Sequence, residues 1–301
     1  MYFKKASLVR NLILAPVVCL SLFSCGSGTN QDQESNSASG KDKDSTTSKQ
    51  TTQKDEPSTT FTLPSPLQIA SIFKKAGLVY YPNICNSPEN ASKYNSGKMS
   101  QALNLGVYSA DLSYCALNKQ NQDSKNYMKA SRELASQLGL AKVFETDNLA
   151  TRFESNLGKD DSMGAIIADM QMQTDMILEE HEQEYISTAA FAGAWIESVY
   201  IGGKVYEKGK EKNVSMRLME QMAIADNIVK ALKASEKKDA GITAVIADIN
   251  SIREIYKDFA GIKALAQSQE DMDFSKIKIS EEELSKLTKK IDEIRSRIVK
   301  G

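Results

Sequence analysis

The chain has 301 residues, of which 41% are hydrophobic, 7% aromatic and 26% charged. Its 38 basic side chains face 39 acidic ones, so no strongly basic face marks it as a nucleic-acid binder. One histidine, His181, and four cysteines without a C-x-x-C spacing offer no ligand set for zinc. The two Glu-x-x-His motifs of a ferritin-like di-iron centre are also missing.

The first element is a short apolar run behind a basic start. Lys4, Lys5 and Arg10 precede the run from Leu12 to Phe23, and Ser24 leads into Cys25-Gly26. That run falls short of the ~20 residues a membrane-spanning helix needs and has the layout of a secretory signal. Leu22-Phe23-Ser24-Cys25 resembles the lipobox of bacterial lipoproteins. The leucine, serine and cysteine match, whereas Phe23 is bulkier than the small residue usual at its place. The resemblance covers residues 1–25 only. It implies a lipoprotein signal peptide over 1–24, acylation of the Cys25 thiol by fatty acid such as palmitate, and Cys25 as the first mature residue. Many lipoproteins retained at the inner membrane carry aspartate where Gly26 stands, so the resemblance implies sorting to the outer membrane. The alternative is an ordinary signal cleaved nearby, with Cys25 an incidental thiol.

Residues 25–63 follow as a second region. From Gly26 to Pro64 the chain is Ser, Thr, Gln, Asn, Gly, Lys and Asp, with no aromatic residue before Phe61. Such a composition cannot bury enough apolar surface to offset ordering entropy, so a disordered tether is expected. As a flexible coil it would span roughly 30–35 Å, enough to hold a domain clear of lipid headgroups. Cys19 leaves with the signal and Cys25 carries lipid on this reading, so the mature domain keeps Cys85 and Cys115. An oxidising envelope would let these two form a disulfide, but spacing alone leaves two separate thiols equally open.

From 64 to 301 the apolar residues recur at three and four, with few prolines and no period-two alternation. The pattern predicts an all-α domain, a helical bundle of about eight or nine helices. Helices are expected over 66–76, from 89 or 96 to 117, 123–138 (ended by Gly139), 147–157, 161–180, 182–206, 214–234, 240–266 and 281–299. A turn-rich segment occupies 80–88, and Gly202-Gly203 reads as a kink or end. Ser280 and Glu283 form a capping-box pattern before the last helix. There Leu284, Leu287, Ile291, Ile294 and Ile298 make a narrow seam, which suits docking on the bundle or a short coiled coil.

Two helices are apolar nearly all round, around Ala102–Leu112 and Ala189–Tyr200, and belong at the centre of a bundle. Each carries a glycine, Gly106 or Gly193, then an aromatic and an acid, and each is followed by a polar break and an amphipathic helix. This points to two related helical-hairpin halves, about 87 residues apart, or to convergence on similar packing needs. Asp111 and Glu197 are costly in such helices unless paired. They define either a polar ligand-binding or acid–base site lined by Asn104, Tyr108, Asp111, Trp195, Glu197 and Tyr200, with Arg132, Arg152 or Arg217 nearby, or two structural contacts.

No other chemistry is legible. Tyr185 stands where H-E-x-x-H needs its second histidine, and no nucleophile elbow, phosphate loop or nucleotide fingerprint occurs. His181 lies among acids and reads as solvated. The methionines at 163, 170, 172, 176, 216, 219 and 222 read as core filler at helical spacing. The catalytic residues of any such enzyme stay unknown, and no cofactor or metal is expected. The overall style resembles helical envelope lipoproteins of unassigned function from Bacteroidetes-type bacteria. It implies a lipid-anchored binding or scaffolding protein with a membrane contact and an envelope protein partner; the alternative is a small-ligand binder or enzyme at Asp111 and Glu197.

Overall fold

The computed structural model describes residues 63–235, 239–267, 277 and 279–301, all within the unit Ser58–Gly301. The expected signal, Cys25 and the tether up to residue 62 lie outside the described residues. Ser65 opens α1 (Pro66–Lys75) with a reciprocal cap: its hydroxyl accepts the Gln68 amide at 3.1 Å, and the Gln68 side chain accepts the Ser65 amide at 2.6 Å. After a 3₁₀ turn at Pro88–Lys93 come α2 (Lys98–Leu117) and α3 (Asn121–Gln137). Gly139, at φ +82°, ends α3 and lets the Leu140 amide reach the Ala135 carbonyl.

Short α4 (Lys142–Glu145) and α5 (Leu149–Ser155) lead to α6 (Asp160–Glu180), α7 (Glu184–Gly209) and α8 (Lys212–Ala234). The chain then forms α9 (Ala240–Lys257), α10 (Ala260–Gln267) and α11 (Glu281–Ile298). The described residues are all-α, without strand.

Three boundaries differ from the periodicity. The range 182–206 begins at Glu184, because Glu182 takes a left-handed φ of 55° at the joint with α6. The range 240–266 divides at Asp258–Phe259, where Phe259 turns into the core and the Ala260 amide is capped by the Glu283 carboxylate at 2.6 Å. Helix α7 also does not end at Gly202-Gly203. It runs on to Gly209, and an added Cβ would stand 2.8 Å from the Phe73 ring at Gly202 and 2.9 Å from Thr288 Cγ2 at Gly203. These glycines admit neighbours rather than terminate a helix.

Helices α2 and α7 form the centre and touch backbone to backbone. A Cβ on Gly106 would lie 1.8 Å from the Ala190 carbonyl oxygen, and one on Gly193 would lie 2.0 Å from that of Leu103. These two contacts exchange under one shift of 87 positions (106 to 193, 103 to 190). The same shift carries the buried Tyr127, Ser131, Leu134 and Ala135 of α3 onto the buried Val214, Leu218, Gln221 and Met222 of α8. With α3 packed on α2 and α8 on α7, the centre has the local two-fold relation that two related hairpins produce.

The remaining elements cover this pair. Leu284, Leu287, Ile291 and Ile294 bury the α11 seam against α7 and α9, so the last helix docks on the bundle of its own chain. Met163, Met219 and Met222 are core residues, but Met172 and Met176 are half exposed and fill no core.

Gly106→Ala or Gly193→Ala should cost about 3 kcal/mol or more, the upper range for overpacking, because backbone cannot yield as a side chain can. Gly164→Ala, whose Cβ would meet only Leu67 at 3.5 Å, should be neutral or stabilise by up to ~1 kcal/mol through helix propensity. Urea unfolding of the three variants tests the contrast.

Candidate functional site

Asn104, Tyr108, Asp111 and Cys115 stand four, three and four apart, so α2 presents them on one stripe. That stripe faces the turn-rich segment and the end of α11. Asn104 Nδ2 donates to the Ser100 and Ile298 carbonyls, both at 3.0 Å. Tyr108 donates to the Ser87 carbonyl at 2.8 Å, and Asp111 Oδ2 accepts the Asn86 amide at 3.2 Å. Asn86 in turn donates to the Tyr94 hydroxyl, which donates to the Val299 carbonyl at 3.1 Å. The stripe therefore fastens the turn-rich segment and the C-terminal end of α11 to the central helix.

Glu197 points from α7 toward α11, where Arg295 grips it with two bonds at 2.8 and 2.9 Å. The glutamate side chain is fully buried and the arginine 12% exposed. The guanidinium also lies 4.4 Å from the centre of the Tyr200 ring, a cation–π contact. Two of the arginines expected nearby pair elsewhere, Arg152 with Asp169 at 2.8 Å and Arg217 with Glu220 at 2.5 Å, and none of the three is bonded to Glu197. Arg295 was hidden in the sequence by its place on a surface-like charged helix. Its position between Ile291 and Ile298, four and three residues away on the apolar seam, was the available signal.

Burial pushes the Asp111 carboxyl well above its ordinary 3.8; the Cys85 thiol and Glu197 add to the rise, and Arg295 opposes it. The Cys85 thiol lies against both Cys115 and Asp111. The facing Cys115 thiol and burial hold it well above its usual range. Both cysteines are free thiols here. The six residues expected to line a site are thus brought together in part, as a packed network rather than an open pocket. Trp195 is fully buried with its indole N–H unpartnered among the described residues. Asp111 and Glu197 are tied to separate partners, which is not the arrangement of a general acid and base sharing a substrate.

Open space lies on the adjoining faces of α2 and α7. A cleft with about 90 Å³ for the centres of water-sized atoms is lined mainly by apolar groups of α2, α3, α6 and α7, among them Leu105, Leu112, Ile167, Met170 and Phe191. Its polar lining is Ser109, Ser131, Gln171, Thr174, Asp175 and Ser187. Ser187 donates to Asp175 Oδ1 at 2.5 Å. Burial raises the Asp175 carboxyl and that hydroxyl partly offsets the rise. A second cavity, of about 220 Å³ by the same measure, lies against Ser100, Leu103 and Ile196, the positions that the central two-fold relates to Ser187, Ala190 and Ser109. It is bounded by α9 and the Arg297–Asp248 pair. Periodicity could flag none of this, because the cleft depends on which helices meet.

Among the described residues no group of three His, Cys, Asp or Glu side chains is placed to hold a metal ion. His181 is exposed, its ring nitrogen 2.6 Å from the Ile177 carbonyl. No family model matches the chain, and neither a curated protein nor a solved structure matches it.

Arg295→Met should destabilise by about 3–5 kcal/mol, because Glu197 keeps a buried charge without its partner. Replacing both with methionine should cost less than Arg295→Met alone, as a double-mutant cycle in urea would read.

Asp111 also predicts a pH dependence. Its folded-state affinity for a proton exceeds that of the unfolded chain, so its contribution to stability is greatest at low pH and is lost as pH rises through the elevated folded value. Between pH 5 and 8, wild type should lose stability relative to Asp111→Asn, measured by parallel urea titrations. An unchanging difference would refute the assignment.

Proposed function

We propose that this chain is a lipid-anchored cell-envelope protein whose helical domain is a binding module. The observation that carries the anchor is Leu22-Phe23-Ser24-Cys25 behind a basic, apolar start, followed by the polar stretch to Pro64. In this reading Cys25 is acylated, the outer membrane holds the lipid, and the tether presents the domain to the envelope space. Among the described residues no helix is long and apolar enough to cross a membrane. The facing Cys85 and Cys115 thiols suit closure to a disulfide in an oxidising compartment.

Two features favour binding over catalysis. Glu197 is held by Arg295 and Asp111 accepts the Asn86 amide, whereas the α2–α3–α6–α7 cleft offers apolar walls with a few polar groups, the usual make-up of a small-ligand site. Scaffolding for an envelope protein partner is the second reading, favoured by Met172 and Met176, 52% and 48% exposed on α6.

Cys25→Ser should move the protein from the membrane fraction to the soluble fraction of the envelope and abolish incorporation of radiolabelled palmitate. Retention of label, or of membrane association after a salt wash, would refute the anchor.

A further inference from the structure

Three hydroxyls on the polar side of the cleft have already given their protons. Ser109 spends its hydroxyl proton on the Leu105 carbonyl, and Thr174 spends its own on that of Met170, both at 2.8 Å. Ser187 gives its proton to Asp175. What these groups leave toward the cleft is oxygen lone pairs. Gln171 Oε1 and Ser131 Oγ are buried without any partner, and Ser131 is only 2% exposed. An unpartnered buried polar atom is destabilising. The two at this cleft are therefore held at a cost that a ligand donating to them removes.

The lining carries no Lys, Arg or His. Asp175 is its charged group, already oriented by Ser187. An anion would meet the Asp175 carboxylate with no cationic side chain in the lining to neutralise it. A neutral apolar molecule would fill the walls and leave the acceptors unpaired. An ammonium group on an apolar body satisfies both ends, with up to three N–H donors for Asp175, Gln171 and Ser131 and a hydrocarbon part for Leu105, Ile167 and Phe191.

We propose that this cleft binds a small primary amine with an apolar body, its ammonium group seated on Asp175 and Gln171. The proposal deepens the binding role given above to the helical domain and is independent of the anchor at Cys25. It differs from the Asp111–Glu197 reading in both place and chemistry.

The test uses the full chain purified from membranes and three probes of one length: n-hexylamine, n-hexanol and n-hexanoate. Binding is read by calorimetry and by the fluorescence of Trp195, the sole tryptophan, which follows the cleft residue Ala194. Hexylamine should bind about tenfold or more tighter than the other two, as a charge-assisted hydrogen bond implies. Asp175→Asn should remove that preference. Gln171→Leu, at a half-buried position that tolerates an apolar residue, should weaken the amine several-fold if Asp175→Asn fails to fold. Hexanol or hexanoate binding as tightly as the amine overturns this inference and leaves a binding role standing. Failure of all three probes to bind overturns both the inference and the small-ligand reading of the cleft, whatever the result at Cys25.

Discussion

Everything in this domain hangs on the backbone contact between α2 and α7. Two helices normally keep a layer of side chains between them. Here Gly106 meets Ala190 and Gly193 meets Leu103 with no room for a Cβ. The close approach brings the stripe on α2 and Glu197 on α7 within reach of the same C-terminal helix. It also leaves the corners on either side of the contact to be filled by other elements. One corner is closed by α3 and α6 and the other by α9 and the end of α11, and each retains a cavity.

The buried polar network reads best as the fastening of this centre. Asp111, Asn104 and Tyr108 hold segments without regular structure, whose backbone groups would otherwise be buried unpaired. Glu197 and Arg295 hold α11 in register on α7. Such pairs add little net stability against an apolar core, yet they discriminate sharply between correct and shifted docking, since a slipped helix leaves two charges buried alone. The cleft between α2, α3, α6 and α7 lies apart from this network and has its own unpaired polar atoms, Gln171 Oε1 and Ser131 Oγ.

Legibility in the sequence followed the range of the interaction. Helix spacing, the Ser280–Glu283 cap, the stop at Gly139 and the two all-apolar central helices arise from contacts within a few residues, and each appears in the structure. The two glycines 87 positions apart, Gly106 and Gly193, meet Ala190 and Leu103 in reciprocal contacts. The break at Phe259 was illegible, since its cause is Glu283, which lies in another helix. Gly202-Gly203 misled for the same reason: only Phe73 and Thr288 explain why side chains are absent there.

The candidate site divides the same way. From the sequence alone came the all-α class, the burial of Asp111 and Glu197, and an N-terminus that resembles a lipoprotein's, since composition and period act locally. Only the tertiary structure decided that Glu197 belongs to Arg295, 98 residues away, rather than to Arg132, Arg152 or Arg217. It also set Cys85 against Cys115 and Asp111, and gathered Ser131, Gln171, Asp175 and Ser187 from three helices around one cleft. The physical reason is that a one-dimensional pattern tells which face of a helix is buried, while the partner on that face is chosen by how the helices pack.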